Sequence, residues 1–401
     1  LFISRRIARS KDGSFSSTIH RIAVISISMS LAALIVAFFV LFGFKKEIKS
    51  KVYNLGGHLT VNKYALSTSF EESTIVVEPG LIDQLNDHEE IQRVQKFILK
   101  AGLFKTQEEV QGVIIKGVGA DYDTTAFNPQ MVEGHFPVVG GDGYSTDVAI
   151  SLYMSRLLRL SIGDKVTLFF AQQPPRYRRI TVTGIYTTGM EEFDERIVFG
   201  DIEMLRRIND WGPDRVNGIE VFLNDESKME AVEDDLFDTL GVDLNVITAA
   251  RQYPQIFEWL ELLNRNVLIL LIIVVVVAAL GMVSMVLILI MERTRMIGMM
   301  KALGAQDGQL RTVFFYSGLD LIVKGLLIGN AIGLLLCWLQ FQFQLIPLDV
   351  TNYYMHFVPI SFDWITLIGL NLMMVLLVGL TLFIPVQVVS GVRPVQAIRF
   401  D

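Results

Sequence analysis

The 401-residue sequence has one cysteine, Cys337, so no disulfide can form within the chain. Charge is scarce: Asp, Glu, Lys and Arg make up 19%, below the roughly 25% of an average soluble domain. Catalytic signatures are missing. There is no GxxxxGK(S/T) phosphate loop, no HExxH, no GxSxG and no CxxC. The histidines at 20, 58, 88, 135 and 356 lack metal-ligand spacing. These absences exclude a disulfide scaffold and leave no candidate catalytic residue, metal site or cofactor in this chain. Nothing points to a nucleic-acid partner. If ATP drives the protein, another chain binds it with its Mg.

Apolar residues are plentiful: 51% are hydrophobic and the mean hydropathy is +0.44, which places part of the chain in a bilayer. Charge-free runs cover Ile22–Phe44 (23 residues), Val267–Met291 (25), Gly325–Leu348 (24) and Trp364–Val392 (29). About 20 apolar residues cross a ~30 Å hydrocarbon core, so four spans are predicted. The first run is longer than a signal-peptide core and leads into Lys45-Lys46-Glu47 without a cleavage site. The chain opens on Leu1 rather than Met, which points to a few residues upstream.

The expected layout is a cytoplasmic segment (1–21), span one (22–44), an extracytoplasmic domain with stalk ends (45–264), span two (265–291), a cytoplasmic connector (292–311), span three (312–339), an outer connector (340–362), span four (363–389) and a cytoplasmic tail (390–401). The stretch from Lys45 to Arg265 holds 23 Lys and Arg against 35 Asp and Glu, while the rest holds 12 against 7. Arg5, Arg6, Arg9, Lys11 and Arg21 precede span one. Arg293, Arg295, Lys301 and Arg311 follow span two, and 340–362 has no Lys or Arg. The positive-inside rule then puts both termini in the cytoplasm and the acidic domain outside. Lys45, Lys46, Lys49 and Lys51, just outside span one, run against it.

The outer domain reads as α+β. Strands are predicted at His58–Asn62, Gln111–Val118, Lys165–Ala171, Arg179–Thr187 and Gly218–Leu223. Helices are predicted at Pro79–Asn86, Ser151–Leu160, Ile202–Ile208 and Glu226–Leu240, with Ser151 and Asp225 as N-caps and Gly163 and Gly241 as stops. Ala249–Asn264 and Lys45–Leu55 are helix-compatible and would extend spans two and one outward as stalks. Glu191, Glu192, Asp194 and Glu195 read as a solvated turn.

In the connector, Met296, Ile297, Met300 and Leu303 fall on one helical face, with Arg293, Arg295 and Lys301 around it and Gly304 as a stop. Such a helix suits either a lipid surface or a partner's groove. In span three, Gly325, Gly329 and Gly333 are four apart and permit close helix packing, within the chain or with a second copy. Asp320 and Lys324 read as an i,i+4 pair facing protein.

The connector motif Arg293-x-Arg-Met-Ile-Gly-Met-Met-Lys-Ala-Leu-Gly-Ala-x-Asp307 resembles the coupling segment of MacB/FtsX-type ABC transporter permeases, most closely the lipoprotein-releasing LolC/LolE type. Supporting stretches are Gly102–Phe104, Ile114-Ile-Lys-Gly-Val118, Ala302–Gly308 with Leu310–Phe315, Asp349 with Tyr353-Tyr-Met and Val358-Pro-Ile360, and Arg393–Arg399. The resemblance implies a polytopic α-helical membrane protein of four transmembrane helices. A large α+β domain, the MacB-type periplasmic core, would be inserted between spans one and two. It implies a bacterial inner-membrane location and a non-catalytic subunit. A separate ABC ATPase would seat the coupling helix, including Gly298. A second permease copy or a paralogue would pair with it. The substrate would be an acylated lipoprotein, drawn from the membrane lipids and passed by mechanical transmission to a periplasmic carrier. Alternatives are a same-fold permease exporting a peptide or drug, or a non-transporting subunit that activates a cell-wall hydrolase.

Exposing about three acyl chains to water, at ~0.8 kcal/mol per CH₂, costs tens of kcal/mol, so their route needs apolar walls. Phe38, Phe42, Val267 and Leu271 are candidates, with ordinary lipid or bundle contact as the alternative. The loop Gln172–Arg179, with Gln173, Pro174, Pro175 and Arg176, matches the place where one permease type of the family contacts the carrier. A plain hairpin connection is its other reading.

Overall fold

The computed structural model describes residues 14–64, 74–106, 109–141, 143–240, 243–349 and 353–391. The chain divides into two compact units. One comprises Leu1–Lys46, Trp259–Pro347 and Phe357–Asp401, the other Glu47–Glu258 and Leu348–His356.

The first unit is helical. Its helices are α1 (Ser14–Gly56), α2 (Pro254–Glu292), α3 (Thr294–Ala302), α4 (Asp307–Phe343), α5 (Trp364–Thr381) and α6 (Phe383–Gly391). Four helical stretches among the described residues are long and apolar enough to cross a membrane: α1, α2, α4 and the α5–α6 pair. Pro254 opens α2, where its missing N–H costs nothing. The α5–α6 break follows from Pro385, which has no N–H to offer the Thr381 carbonyl one turn back. The core is built from Leu31, Leu34 and Ile35 of α1, Met282 and Val286 of α2, Phe314 and Ile322 of α4, and Met374 of α5. α1 and α2 both continue beyond their charge-free runs, and the unit boundaries at Lys46/Glu47 and Glu258/Trp259 fall inside these helices.

The second unit is α+β. Its strands are β1 (Leu59–Lys63), β2 (Ile75–Val76), β3 (Ile91–Lys105), β4 (Val110–Val118), β5 (Met131–Gly134), β6 (Asp147–Ser151), β7 (Lys165–Phe170), β8 (Arg176–Tyr186), β9 (Ile197–Asp201), β10 (Arg215–Val216), β11 (Gly218–Leu223) and β12 (Leu244–Thr248). Ten form one mixed sheet in the order β12-β1-β11-β3-β4-β9-β6-β8-β5, with β7 bridging β3 and β8, while β2 and β10 pair separately. β4 runs parallel to β9 and β6 to β8; the other pairings are antiparallel. Tyr122, Phe127, Phe136, Tyr186 and Phe199 pack as one buried aromatic cluster, with Phe127 and Phe199 centroids 4.7 Å apart. Their quadrupoles favour the tilted and edge-on contacts seen there.

Ser151 caps Leu152–Leu158 by accepting from the Met154 N–H, and Asp225 accepts from Ser227 N–H. The helix after Ser151 stops at Arg159 in the left-handed region, four residues before the expected Gly163. Glu226–Lys228 is a 3₁₀ turn ahead of the helix Met229–Leu240, and Gly241 lies outside the described residues. β3, the longest strand, has no counterpart among the sequence expectations.

Candidate functional site

α3 stands between α2 and α4 as a separate short helix. Ile297 is fully buried in the helical core, Gly298 is buried, and Met296 and Met300 pack at the core's edge. Leu303 is 89% exposed because α3 ends at Ala302 and the chain turns through Gly304 at φ +94°. This corrects the expectation of one apolar face shared by Met296, Ile297, Met300 and Leu303. The first three serve the chain's own core. The exposed set is Arg295, Met299, Ala302 and Leu303, at helical spacing. Lys301 pairs with Asp307 at 2.9 Å across the turn, and Gln306 and Gln309 form a capping box on α4.

Gly325, Gly329 and Gly333 meet α1 of the same chain. A Cβ there would lie 2.7 Å from Ile27 Cβ, 2.9 Å from Ser28 O and 3.1 Å from Ile35 Cβ, respectively. Ser28 Oγ donates to the Gly325 carbonyl at 2.9 Å, which the bare glycine permits. Asp320 and Lys324 form their ion pair, yet both side chains are about half exposed. They lie on the outer side of α4, away from the chain's own core, so any protein they face belongs to another chain.

Of the candidate wall residues, Phe38 and Phe42 are half-buried with ring centroids 6.2 Å apart. Their neighbour Phe39 is fully buried, edge-on to Phe362 at 5.5 Å. Val267 and Leu271 are also half-buried. The open apolar surface of α2 is carried instead by Leu268, Ile269, Ile272 and Ile273.

In the second unit, residues 171–175 close the β7–β8 hairpin and the Gln173–Pro174 bond is cis; this corrects the expected loop Gln172–Arg179, because Arg176–Arg179 already pair with β7 as the start of β8. Gln173, Pro174 and Pro175 are exposed. Arg176 is committed: its guanidinium donates to the Arg207 and Ile208 carbonyls at 3.0 and 2.6 Å and pairs with Asp210, finishing the helix Ile202–Asn209. The more available side chain is Tyr177, at 70% exposure.

The acidic turn is not uniformly solvated. Asp194 is buried and accepts from Thr187 Oγ1 (3.1 Å), Thr188 N–H (3.0 Å) and Oγ1 (2.8 Å), and Gly189 N–H (3.2 Å). Burial pushes its carboxyl up, opposed by those hydrogen bonds, Thr188 first. Sequence reading also passed over a buried pair: Lys116 Nζ donates to Glu220 Oε1 at 2.5 Å and to the Leu55 carbonyl, while Gln95 Nε2 donates to Glu220 Oε2 at 2.8 Å. Among the described residues, no group of three or more His, Cys, Asp or Glu side chains is placed to hold a metal ion.

Comparison with known proteins adds family evidence. Residues 22–238 match the MacB-like periplasmic core domain, and residues 268–394 match the FtsX-like permease C-terminal family. The chain is 24% identical to the lipoprotein-releasing system transmembrane protein LolC of Neisseria meningitidis, over 99% of this chain and 98% of that one. It is 22% identical to the LolE protein of Haemophilus influenzae, with the same coverage. To LolC of Xylella fastidiosa it is 21% identical, covering 98% and 96%. The chain is a multi-pass membrane protein that belongs to the family of ABC-type permeases joining a MacB-like periplasmic core domain to an FtsX-like permease domain.

Proposed function

We propose that the protein is the permease subunit of a lipoprotein-releasing ABC transporter in the bacterial inner membrane. In this reading its termini and α3 are cytoplasmic and the sheet domain is periplasmic. A separate ATPase binds ATP and Mg and engages α3. A second copy or a paralogue completes the membrane part. An acylated lipoprotein leaves the outer leaflet and passes to a soluble carrier, with the exposed end of the β7–β8 hairpin, Pro174 to Tyr177, as the candidate contact. The observation that carries the reading is similarity along the whole length to lipoprotein-releasing transmembrane proteins. One feature supports mechanical transmission: the unit boundaries at Lys46/Glu47 and Glu258/Trp259 lie inside α1 and α2. A helix carries displacement along its axis better than a flexible linker does.

Two experiments test it. Depleting the protein should leave acylated lipoproteins in the inner membrane, read by membrane fractionation; normal sorting would overturn the substrate assignment. Leu303→Asp should separate ATP hydrolysis from release while the sheet domain stays folded. Leu303 is the proper probe because it is exposed, whereas Gly298→Asp would bury a charge and damage the helical core itself. Unchanged release with Leu303→Asp would remove α3 from the ATPase contact.

A further inference from the structure

The lysines at the outer end of α1 run against the charge asymmetry of the chain, and the structure gives three of them work. Lys45 Nζ donates to Asn264 Oδ1 at 2.9 Å, and Lys49 pairs with Glu226 at 3.2 Å. Lys51 is different, because its Nζ donates to two main-chain carbonyls, Thr188 O at 2.8 Å and Tyr354 O at 2.5 Å. These acceptors belong to segments far apart in sequence. Thr188 lies in the turn that the buried Asp194 carboxylate clamps. Tyr354 lies in Leu348–His356, between α4 and α5, which clusters with the sheet domain rather than with the helices that flank it. Tyr354 is held at φ +61°, a region an ordinary side chain occupies only when its surroundings fix it. Met355 is buried next to it, and Leu348 N–H donates to the His356 carbonyl at 2.9 Å.

We infer that Lys51 is the joint through which α1, the Thr187–Asp194 turn and the α4–α5 connector move as one body. The connector is then a working part of the extracytoplasmic domain, and a shift of α1 reaches α4 and α5 through it as well as through the membrane helices. The transmitting role rests on the permease reading above; the three-way joint does not.

Hydrogen exchange on the full chain in lipid nanodiscs tests the joint. Lys51→Met keeps the apolar stem and removes both hydrogen bonds. Amides at 187–190 and 353–356 should then exchange on the order of 10-fold faster, with β3 and β4 unchanged. Lys49→Met, which removes only an exposed bridge, should leave both segments as they are. Wild-type protection of both segments in Lys51→Met would overturn the joint. The unaltered chain gives a second test: with added denaturant, 187–190 and 353–356 should open together, and separate openings would overturn it. In the complex with the ATPase, nucleotide should alter exchange at α3 and at 353–356, and Lys51→Met should abolish the second change alone. A change at α3 with none at 353–356 in the wild type would overturn the transmitting role and leave the permease reading standing. No change at α3 would overturn that reading and the role built on it, while the nanodisc experiments still decide the joint.

Discussion

Asn330 of α4 and Asn371 of α5 exchange their side-chain amides: each Nδ2 donates to the other's Oδ1, at 2.7 and 2.9 Å. Each Nδ2 also donates to the carbonyl one turn back, Leu326 for Asn330 and Leu367 for Asn371. Both amide N–H bonds are therefore used, in an apolar setting where an unmet donor has no water to turn to. Asn330→Leu or Asn371→Leu should each destabilise the helical unit by about 1 kcal/mol by orphaning the partner. The double variant should lose less than the sum of the two. Unfolding in mixed micelles of the four members of this cycle measures the coupling, and strictly additive losses would mean that the pair does not act as a unit.

The glycine stripe of α4 makes a paired prediction. A methyl group at Gly329 would sit 2.9 Å from Ser28 O, against backbone that cannot swing aside, whereas Gly369 on α5 has open space around it. Gly329→Ala should cost about 1–3 kcal/mol by forcing α1 and α4 apart. Gly369→Ala should be neutral or stabilise by up to ~1 kcal/mol through helix propensity. Thermal unfolding of the two variants side by side is the check. Equal behaviour would mean that close α1–α4 approach is not what the stripe provides.

What could be read beforehand followed from the strength of each periodic signal. The long apolar runs and Gly218–Leu223 were plain, because hydrophobic length and β-branched enrichment act locally. β3 was not, since its burial follows no simple alternation and it carries Lys and Gly in the middle of the sheet. Those residues are set by partners elsewhere in the chain: Lys100 and Gly102 of β3 pair in register with Ile115 and Val113. The Asn330–Asn371 pair is legible in principle, as two strongly polar side chains inside apolar runs, yet an uncharged amide leaves a charge-free run unbroken and does not name its partner. The face of α3 was misread for another reason: helical spacing says which residues share a face, not whether that face meets its own chain or a partner's.

The buried Lys116–Glu220 pair gives a prediction for the sheet domain. Both side chains are only 5% exposed, and Lys116 also holds the Leu55 carbonyl near the end of α1. Lys116→Met leaves the Glu220 carboxylate buried without its cation, still accepting from the Gln95 amide, and should cost about 3–5 kcal/mol. Adding Glu220→Gln should recover part of that loss, because the uncompensated charge is gone. Hydrogen exchange at residues 55–57 should rise with the single variant, since α1 loses its attachment to β4. Chemical denaturation of both variants decides the matter, and a double variant no better than the single would show that the charge itself is not the cost.

Acid sensitivity should be concentrated where α1 enters the sheet. His58 follows Gly57, its ring stacks on Tyr53 with centroids 4.2 Å apart, and it meets Phe222 edge-on at 6.1 Å. Its Nδ1 accepts from the Leu223 N–H at 3.2 Å, which requires that nitrogen to be unprotonated. Burial lowers its pKa from the ordinary 6.5 to about 4, with Glu226 opposing and Arg93 and Lys49 adding to the fall. Between those values the unfolded chain binds a proton that the folded chain refuses. The contribution to stability is therefore complete above pH 6.5 and is lost as the pH falls toward about 4. Allowing for solvent screening of a partly exposed ring, the loss is about 1–2 kcal/mol. His58→Gln keeps an acceptor for Leu223 and has no proton to gain, so it should flatten the stability curve over this range. The opening free energy of the β1 and β11 amides, followed by hydrogen exchange from pH 7 to pH 5, measures the slope. An undiminished slope in the variant would place the acid response in another group. A flattened one would identify His58 as the group whose protonation breaks the packing of Tyr53 and Phe222 at the foot of α1.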